Sequence, residues 1–273
     1  MTASLIWQLI TEYKLSYKTI VIEVPAIAER IGGTIANLKE GEKFTILDLL
    51  YAMMLPSGND AATTLAIYFG SAIRTRKMKK ITKKKIVPMT EEYYIKVFVK
   101  RMNQLAQKMF LKNTIFFTPH GMCTTSNKST SDDISKLSFH LMQIPIMQEI
   151  VKTATYTCKY VNKEKKTKEI TWQNTNILLS EVGYYGIKTG TTTDAGYCLS
   201  TYWAKENKKI IIVLLGATSP ENRFLETKKL VEWAHAYLNE IEVCFGKENL
   251  EGLKPQLLIC LLRSALNSPR KPY

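Results

Sequence analysis

The sequence predicts an α+β fold: helices in the first half, then an antiparallel meander with one long helix packed on it. Three observations predict it. Apolar residues recur at helical spacing through the first hundred residues. Three short strand-like runs, Tyr184 to Gly190, Cys198 to Trp203 and Ile210 to Leu215, follow one another in the second half. After them Phe224, Thr227, Val231, Ala234, Leu238 and Ile241 return to spacings of three and four.

Leu5, Leu9 and Tyr13, with Trp7 and Ile10 beside them, predict an amphipathic helix over Thr2 to Tyr13, entered without a capping residue. Lys18 to Val24 is a short alternating stretch, and Gly32-Gly33 and Gly41 punctuate a loop. Thr45 with Asp48 forms a capping-box pattern ahead of the apolar run Leu47 to Leu55, which Pro56 ends. Ser57-Gly58-Asn59 is a polar turn, Asp60 to Phe69 a second helix, and Thr90 to Phe110 a third long one. Ala204 to Lys209 reads as a hairpin connection between the last two strands. Ser219 supplies an N-cap and Pro220 a first helical residue for the final helix, which should lie on the sheet.

The 273 residues are 45% hydrophobic and 23% charged, as in a globular chain, and no apolar run approaches a membrane span. Residues 1–10 show no basic region or cleavage site, so no signal peptide is expected. The net charge of +14 is local. Arg74 to Lys85 holds eight basic residues and no acid, and Lys159 to Lys168 adds a further +4. The expectation is two basic loops rather than a basic face, so no nucleic-acid partner is expected. Cys123, Cys158, Cys198, Cys244 and Cys260 form no CxxC, and His120, His140 and His235 are scattered, so no metal site is inferred.

Two short motifs carry chemistry. Ser57-Gly58-Asn59 brings a hydroxyl and an amide to the turn between two helices, and Lys188-Thr189-Gly190 lies on a predicted strand. Either alone is common, as an ordinary turn or a solvated strand. In this order they match the second and third active-site motifs of penicillin-binding proteins and class A β-lactamases. Leu55-Pro56-Ser57-Gly58-Asn59-Asp60-Ala61-Ala62, Asn113-Thr114, Pro119-His120-Gly121, Trp172 with Asn174-Thr175-Asn176, Gly186 to Gly190, and Ala195 to Leu199 narrow the match. From Met1 to about Tyr237 the chain resembles the D-alanyl-D-alanine carboxypeptidases, serine enzymes that trim peptidoglycan stem peptides.

The resemblance implies a penicillin-binding-protein-like fold, with a helical subdomain and an antiparallel sheet, over residues 1–245, and a short tail over 246–273. It implies no cofactor, and a stem peptide or β-lactam as ligand. Ser57 and Asn59 take the relay and positioning roles. Lys188 and Thr189 hold the substrate carboxylate, helped by Arg223, from a strand edge that an extended peptide can join. Gly190 admits the backbone, and the N–H of Thr191 is an oxyanion donor.

The family's nucleophile and base, the Ser and Lys of S-x-x-K, precede a Met-Thr-Ala that Met1-Thr2-Ala3 matches; both would stand ahead of Met1. Of the 14 serines here only Ser268 has a lysine three residues on, Lys271, and prolines 269 and 272 keep that pair out of a helix. Two sheet strands that lie upstream of the nucleophile in the family are likewise absent, which leaves the Ile210 to Leu215 edge to be covered by the C-terminal segment, a partner or an N-terminal fragment. Three accounts follow: an enzyme whose recorded start is too late, a pseudoenzyme that binds peptidoglycan or β-lactam, or a basic surface-binding protein using Arg74 to Lys85. The family works outside the cytoplasmic membrane after export.

Overall fold

The computed structural model describes residues 1–81, 87–122 and 127–245 together with Leu258–Ile259. In chain order the elements are α1 (Thr2–Tyr13), β1 (Val21–Glu23), α2 (Ala26–Glu29), β2 (Lys43–Thr45), α3 (Ile46–Met54), α4 (Asn59–Ile81), α5 (Glu91–Lys108), α6 (Ser131–Leu141) and α7 (Pro145–Lys152). There follow β3 (Thr155–Val161), β4 (Thr167–Gln173), a 3-10 turn at Ile177–Ser180, β5 (Tyr184–Thr192), β6 (Gly196–Lys205), β7 (Lys208–Ala217), α8 (Pro220–Phe245) and β8 (Leu258–Ile259). They form two compact units. One holds Met1–Ser129 and His140–Thr175, the other Thr130–Phe139 and Asn176–Tyr273.

The first unit is mostly helical. α1 buries Leu5, Ile6 and Leu9, and α3 buries Leu49 and Leu50. The expected capping box forms: Asp48 N–H donates to Thr45 Oγ1 and Thr45 N–H to Asp48 Oδ2, each at 3.1 Å. Thr90 caps α5 with its side chain alone, Oγ1 accepting from Tyr93 N–H. α4 runs twelve residues past the expected end at Phe69. Arginine and lysine are good helix formers and suit a helix C-terminus, so the basic tract continues the helix instead of opening a loop. Arg76 lies 4.0 Å over the Tyr13 ring, and Arg74 Nη1 donates to Val87 O at 2.8 Å. Residues 82–86, the end of that tract, lie outside the described residues.

This unit also contains a sheet, order β1-β2-β3-β4, that the sequence reading did not anticipate beyond the alternation around β1. The second basic tract is its hairpin, not a loop. β3 and β4 pair from Thr155↔Gln173 to Val161↔Thr167, with a turn in which Asn162 Oδ1 accepts from Lys166 N–H. Lys159 lies on the outer face, Lys163, Lys165 and Lys166 at the tip and Lys168 next to it, while Tyr156, Tyr160 and Trp172 face Tyr51 and Phe44. Tyr51 and Tyr156 stack at 3.7 Å.

The second unit holds the expected meander. Its sheet has the order β5-β6-β7-β8, and β5, β6 and β7 pair antiparallel. Glu206 and Asn207, at φ 53° and 63°, close the β6–β7 hairpin as a two-residue turn. α8 starts as expected, with Asn222 N–H donating to Ser219 Oγ at 3.0 Å. It buries Phe224, Thr227, Val231 and Ala234, and Phe224, Val231 and Ala234 join Leu199, Trp203, Ile210 and Ile212 in one core. The β7 edge, expected to need a cover, carries a parallel partner at two positions, Ile211↔Leu258 and Ile212↔Ile259, so the C-terminal segment takes part of it. The rest of the expected tail, 246–257 and 260–273, lies outside the described residues, as does Ser268. Among the described residues no helix is long and apolar enough to cross a membrane.

Candidate active site

Ser57 and Asn59 stand together in the first unit, at the turn from α3 into α4. The backbone of Ser57 is left-handed, φ 65°, a conformation that favours glycine or asparagine. The Ser57 hydroxyl makes no hydrogen bond among the described residues, and the residue is half-buried. Asn59 is the first residue of α4 and is 4% exposed. Its N–H donates to Thr34 O at 2.9 Å, its Nδ2 donates to Gly32 O at 2.8 Å, and the Met122 thioether lies against the same amide. Asp60 beside it is a clamp. Its carboxylate accepts from the N–H groups of Ala36, Leu38 and Ala61, and so ties residues 36–38 to the start of α4.

A third segment reaches this turn. Thr2 Oγ1, in the first turn of α1, donates to Pro119 O at 2.5 Å. Met122 N–H donates to His120 Nδ1 at 3.1 Å, and burial holds His120 below its ordinary pKa. The ring is therefore neutral, with Nδ1 as acceptor. Residues 118–122 thus connect the first turn of α1 to Asn59.

Lys188, Gly190, Thr191 and Arg223 meet in the second unit. β5 is the outer strand of its sheet, and its Lys188, Thr189 and Gly190 pair with Ser200, Leu199 and Cys198 of β6. Lys188 is half-buried, and its Nζ turns inward to donate to Thr189 O at 2.9 Å. Arg223, from the first turn of α8, is 8% exposed. Its Nη1 donates to Thr191 Oγ1 at 3.2 Å and to Gly190 O at 3.4 Å, while its guanidinium lies 4.6 Å from the Phe224 ring. Arg223 Nε is buried without a partner among the described residues.

No carboxylate forms an ion pair with either cation among the described residues. Burial, and then the Arg223 charge, push the Lys188 ammonium down to about 7. Burial also lowers Arg223, against the opposing pull of Cys198, Tyr197 and Glu221. A half-buried and a buried cation beside a bare glycine on an outer strand have the chemistry to attract an anion.

Sequence reasoning missed Met122, Ser138 and Ser200. Met122 follows directly on Pro119-His120-Gly121, a motif noted without a role. Ser200 Oγ and Ser138 Oγ of α6 share a hydrogen bond of 2.7 Å behind the Lys188 position. No spacing rule links residues so far apart in the chain. No group of three metal-ligating side chains occurs among the described residues.

A family profile described as D-alanyl-D-alanine carboxypeptidase matches residues 94–219. The D-alanyl-D-alanine carboxypeptidase of Streptomyces sp. strain K15 is 34% identical over 74% of this chain and 64% of its own length. D-alanyl-D-alanine carboxypeptidase DacF of Bacillus subtilis is 29% identical over 76% of this chain and 47% of its own. The chain thus spans between about half and just under two thirds of the curated relatives it matches. The crystal structure of the Streptomyces K15 DD-transpeptidase superposes with a TM-score of 0.73 at 28% identity, covering 86% of each chain. Profile, relatives, fold and paired motifs agree in direction: over about three quarters of its length the chain is similar to D-alanyl-D-alanine carboxypeptidases.

Proposed function

We propose that this chain carries the substrate-binding part of a serine-type D-alanyl-D-alanine carboxypeptidase site. Lys188 and Arg223 hold the terminal carboxylate of a peptidoglycan stem peptide, or the carboxylate of a β-lactam. The Thr189 hydroxyl assists them. The open edge of β5 pairs with the extended peptide, Gly190 admits its backbone, and the Thr191 N–H is one donor to the oxyanion. Ser57 and Asn59 serve proton transfer and positioning. Acyl transfer needs in addition a serine nucleophile and a lysine base, which the family carries five and two residues ahead of the residue matched by Met1.

The observation that supports this reading most is the pairing of half-buried Lys188 with buried Arg223 at the side of Gly190, with no carboxylate ion-paired to either among the described residues. None of the 273 residues is placed by motif as nucleophile or base. Removing the nucleophile alone from another serine hydrolase lowers turnover on the order of a millionfold. The polypeptide is therefore expected to bind a peptide ending in D-Ala-D-Ala without releasing D-alanine. Joined to a family segment carrying S-x-x-K ahead of α1, it is expected to release it. The test measures D-alanine release by both forms beside a Lys188→Ala control. Release by the 273-residue polypeptide above that control, or none by the joined form, would refute the proposal.

A further inference from the structure

α4 carries different chemistry at its two ends. Asn59 opens it, and at about 1.5 Å per residue Arg76 stands about 25 Å further along the helix and Lys79 about 30 Å. The far end is basic. Arg74 and Lys77, three residues apart, share one side of the helix, and Arg76 and Lys79 make the same pairing on the opposite side. Arg74 reaches Val87 O and the Tyr93 ring, and Arg76 covers the Tyr13 ring. Arg76, Lys77 and Lys79 are exposed, and none of the four forms an ion pair with a carboxylate among the described residues.

No acid lies between Asp60 and Glu91 in the sequence. Glu91 and Glu92 sit in the first turn of α5, where that turn's own N–H and Thr90 hold the Glu92 carboxylate below its ordinary pKa. The helix dipole favours cations in the last turn of α4, but Arg74, Arg76 and Lys77 stand ahead of that turn. Most of this charge therefore has no role inside the fold.

Beside the cations lies apolar surface. Val87 is 70% exposed, Met89 43% and Tyr93 38%. Arg74 touches this stretch directly, and Met89 N–H donates to Tyr94 Oη at 2.9 Å, so the backbone that presents it is tied down. Cations alone suit any phosphate-bearing polymer, and exposed aliphatic side chains gain nothing from one. They gain at the boundary between lipid headgroups and acyl chains, where apolar burial and attraction to anionic headgroups act together.

We propose that the far end of α4, with Val87 and Met89, is a docking surface for an anionic lipid bilayer. Arg76, Lys77 and Lys79 meet the headgroup phosphates, and Val87 and Met89 enter the acyl boundary. One helix then joins the bilayer contact to the turn that holds Asn59.

The test floats the full chain with vesicles of phosphatidylcholine containing about a quarter phosphatidylglycerol, and with vesicles of phosphatidylcholine alone. Binding to the anionic vesicles is expected to exceed binding to the neutral ones at least about tenfold, and to fall as salt rises. Lys77→Ala with Lys79→Ala should lower it about twentyfold, since each cation near such a surface contributes about fivefold. Val87→Ser with Met89→Ser should lower it about fivefold at unchanged charge, and leave binding to soluble polyphosphate as it was. All four positions are exposed, so both variants should melt near the wild-type temperature. Equal flotation with anionic and neutral vesicles, or equal flotation of wild type and the lysine variant, would overturn the proposal. So would a serine variant that floats like the wild type, which would assign the patch to a free phosphate polymer. None of these residues belongs to the carboxylate site, so failure here leaves the functional reading standing.

Discussion

Lys188 and Arg223 are two positive charges held close together with no carboxylate ion-paired to either among the described residues, and two predictions follow. The first concerns pH. An anion binds best while Lys188 is protonated, so affinity for a D-Ala-D-Ala peptide should be flat below about 7, the value to which burial and Arg223 push it. Above it the affinity should fall by up to about tenfold per pH unit. The same shift acts on folding with a definite sign. Between about 7 and the ordinary lysine value the unfolded chain binds more protons than the folded one, so stability should rise with pH across that window. Calorimetric titration and denaturation at several pH values check both, and Lys188→Met should remove the Lys188 share of each slope. The second prediction separates ligand from fold at Gly190. A Cβ there would meet only Cys198 Cβ, at an ordinary 3.8 Å, so packing does not demand glycine. Gly190→Ala should leave the melting temperature unchanged or raise it, by up to about 1 kcal/mol of stability, while weakening peptide binding. Equal binding by Gly190→Ala and wild type would remove the case for backbone approach at this position.

The elements show which parts of the fold were legible and which were not. α1, α3, α5, α8 and the β5–β6–β7 meander announce themselves through caps, turn residues and periodicity, because each buries one face and signals its ends. The β3–β4 hairpin does not. Its lysines read as a charged loop, since the apolar side of a short hairpin is only three or four residues, here Tyr156, Cys158, Tyr160 and Trp172. The long end of α4 was hidden for a related reason: Arg74 and Arg76 look solvated in sequence, but their partners, Val87 and Tyr13, are brought to them by tertiary packing. Asp60 is the element-scale test. Its carboxylate holds three backbone N–H groups, so Asp60→Ala should cost about 3 kcal/mol, read as a lowered denaturation midpoint. Arg76→Ala, which removes one cation–π contact, should cost about 1 kcal/mol or less.

At the scale of the whole molecule, the order of Ser57-Gly58-Asn59 and Lys188-Thr189-Gly190 along the chain was enough to point to the family that the comparisons match. Their surroundings were not legible. The reach of Met122 to Asn59 and of Arg223 to Thr191 spans distances in sequence over which no periodicity speaks. The account rests on a carboxylate-binding group that outlives the absence of a nucleophile and its base from these 273 residues. Its most direct test is a calorimetric titration of the 273-residue polypeptide with a peptide ending in D-Ala-D-Ala, beside Lys188→Ala and Arg223→Ala. The account predicts saturable binding by the wild-type chain that weakens at least about tenfold in each variant. Indistinguishable heats for all three proteins would contradict it.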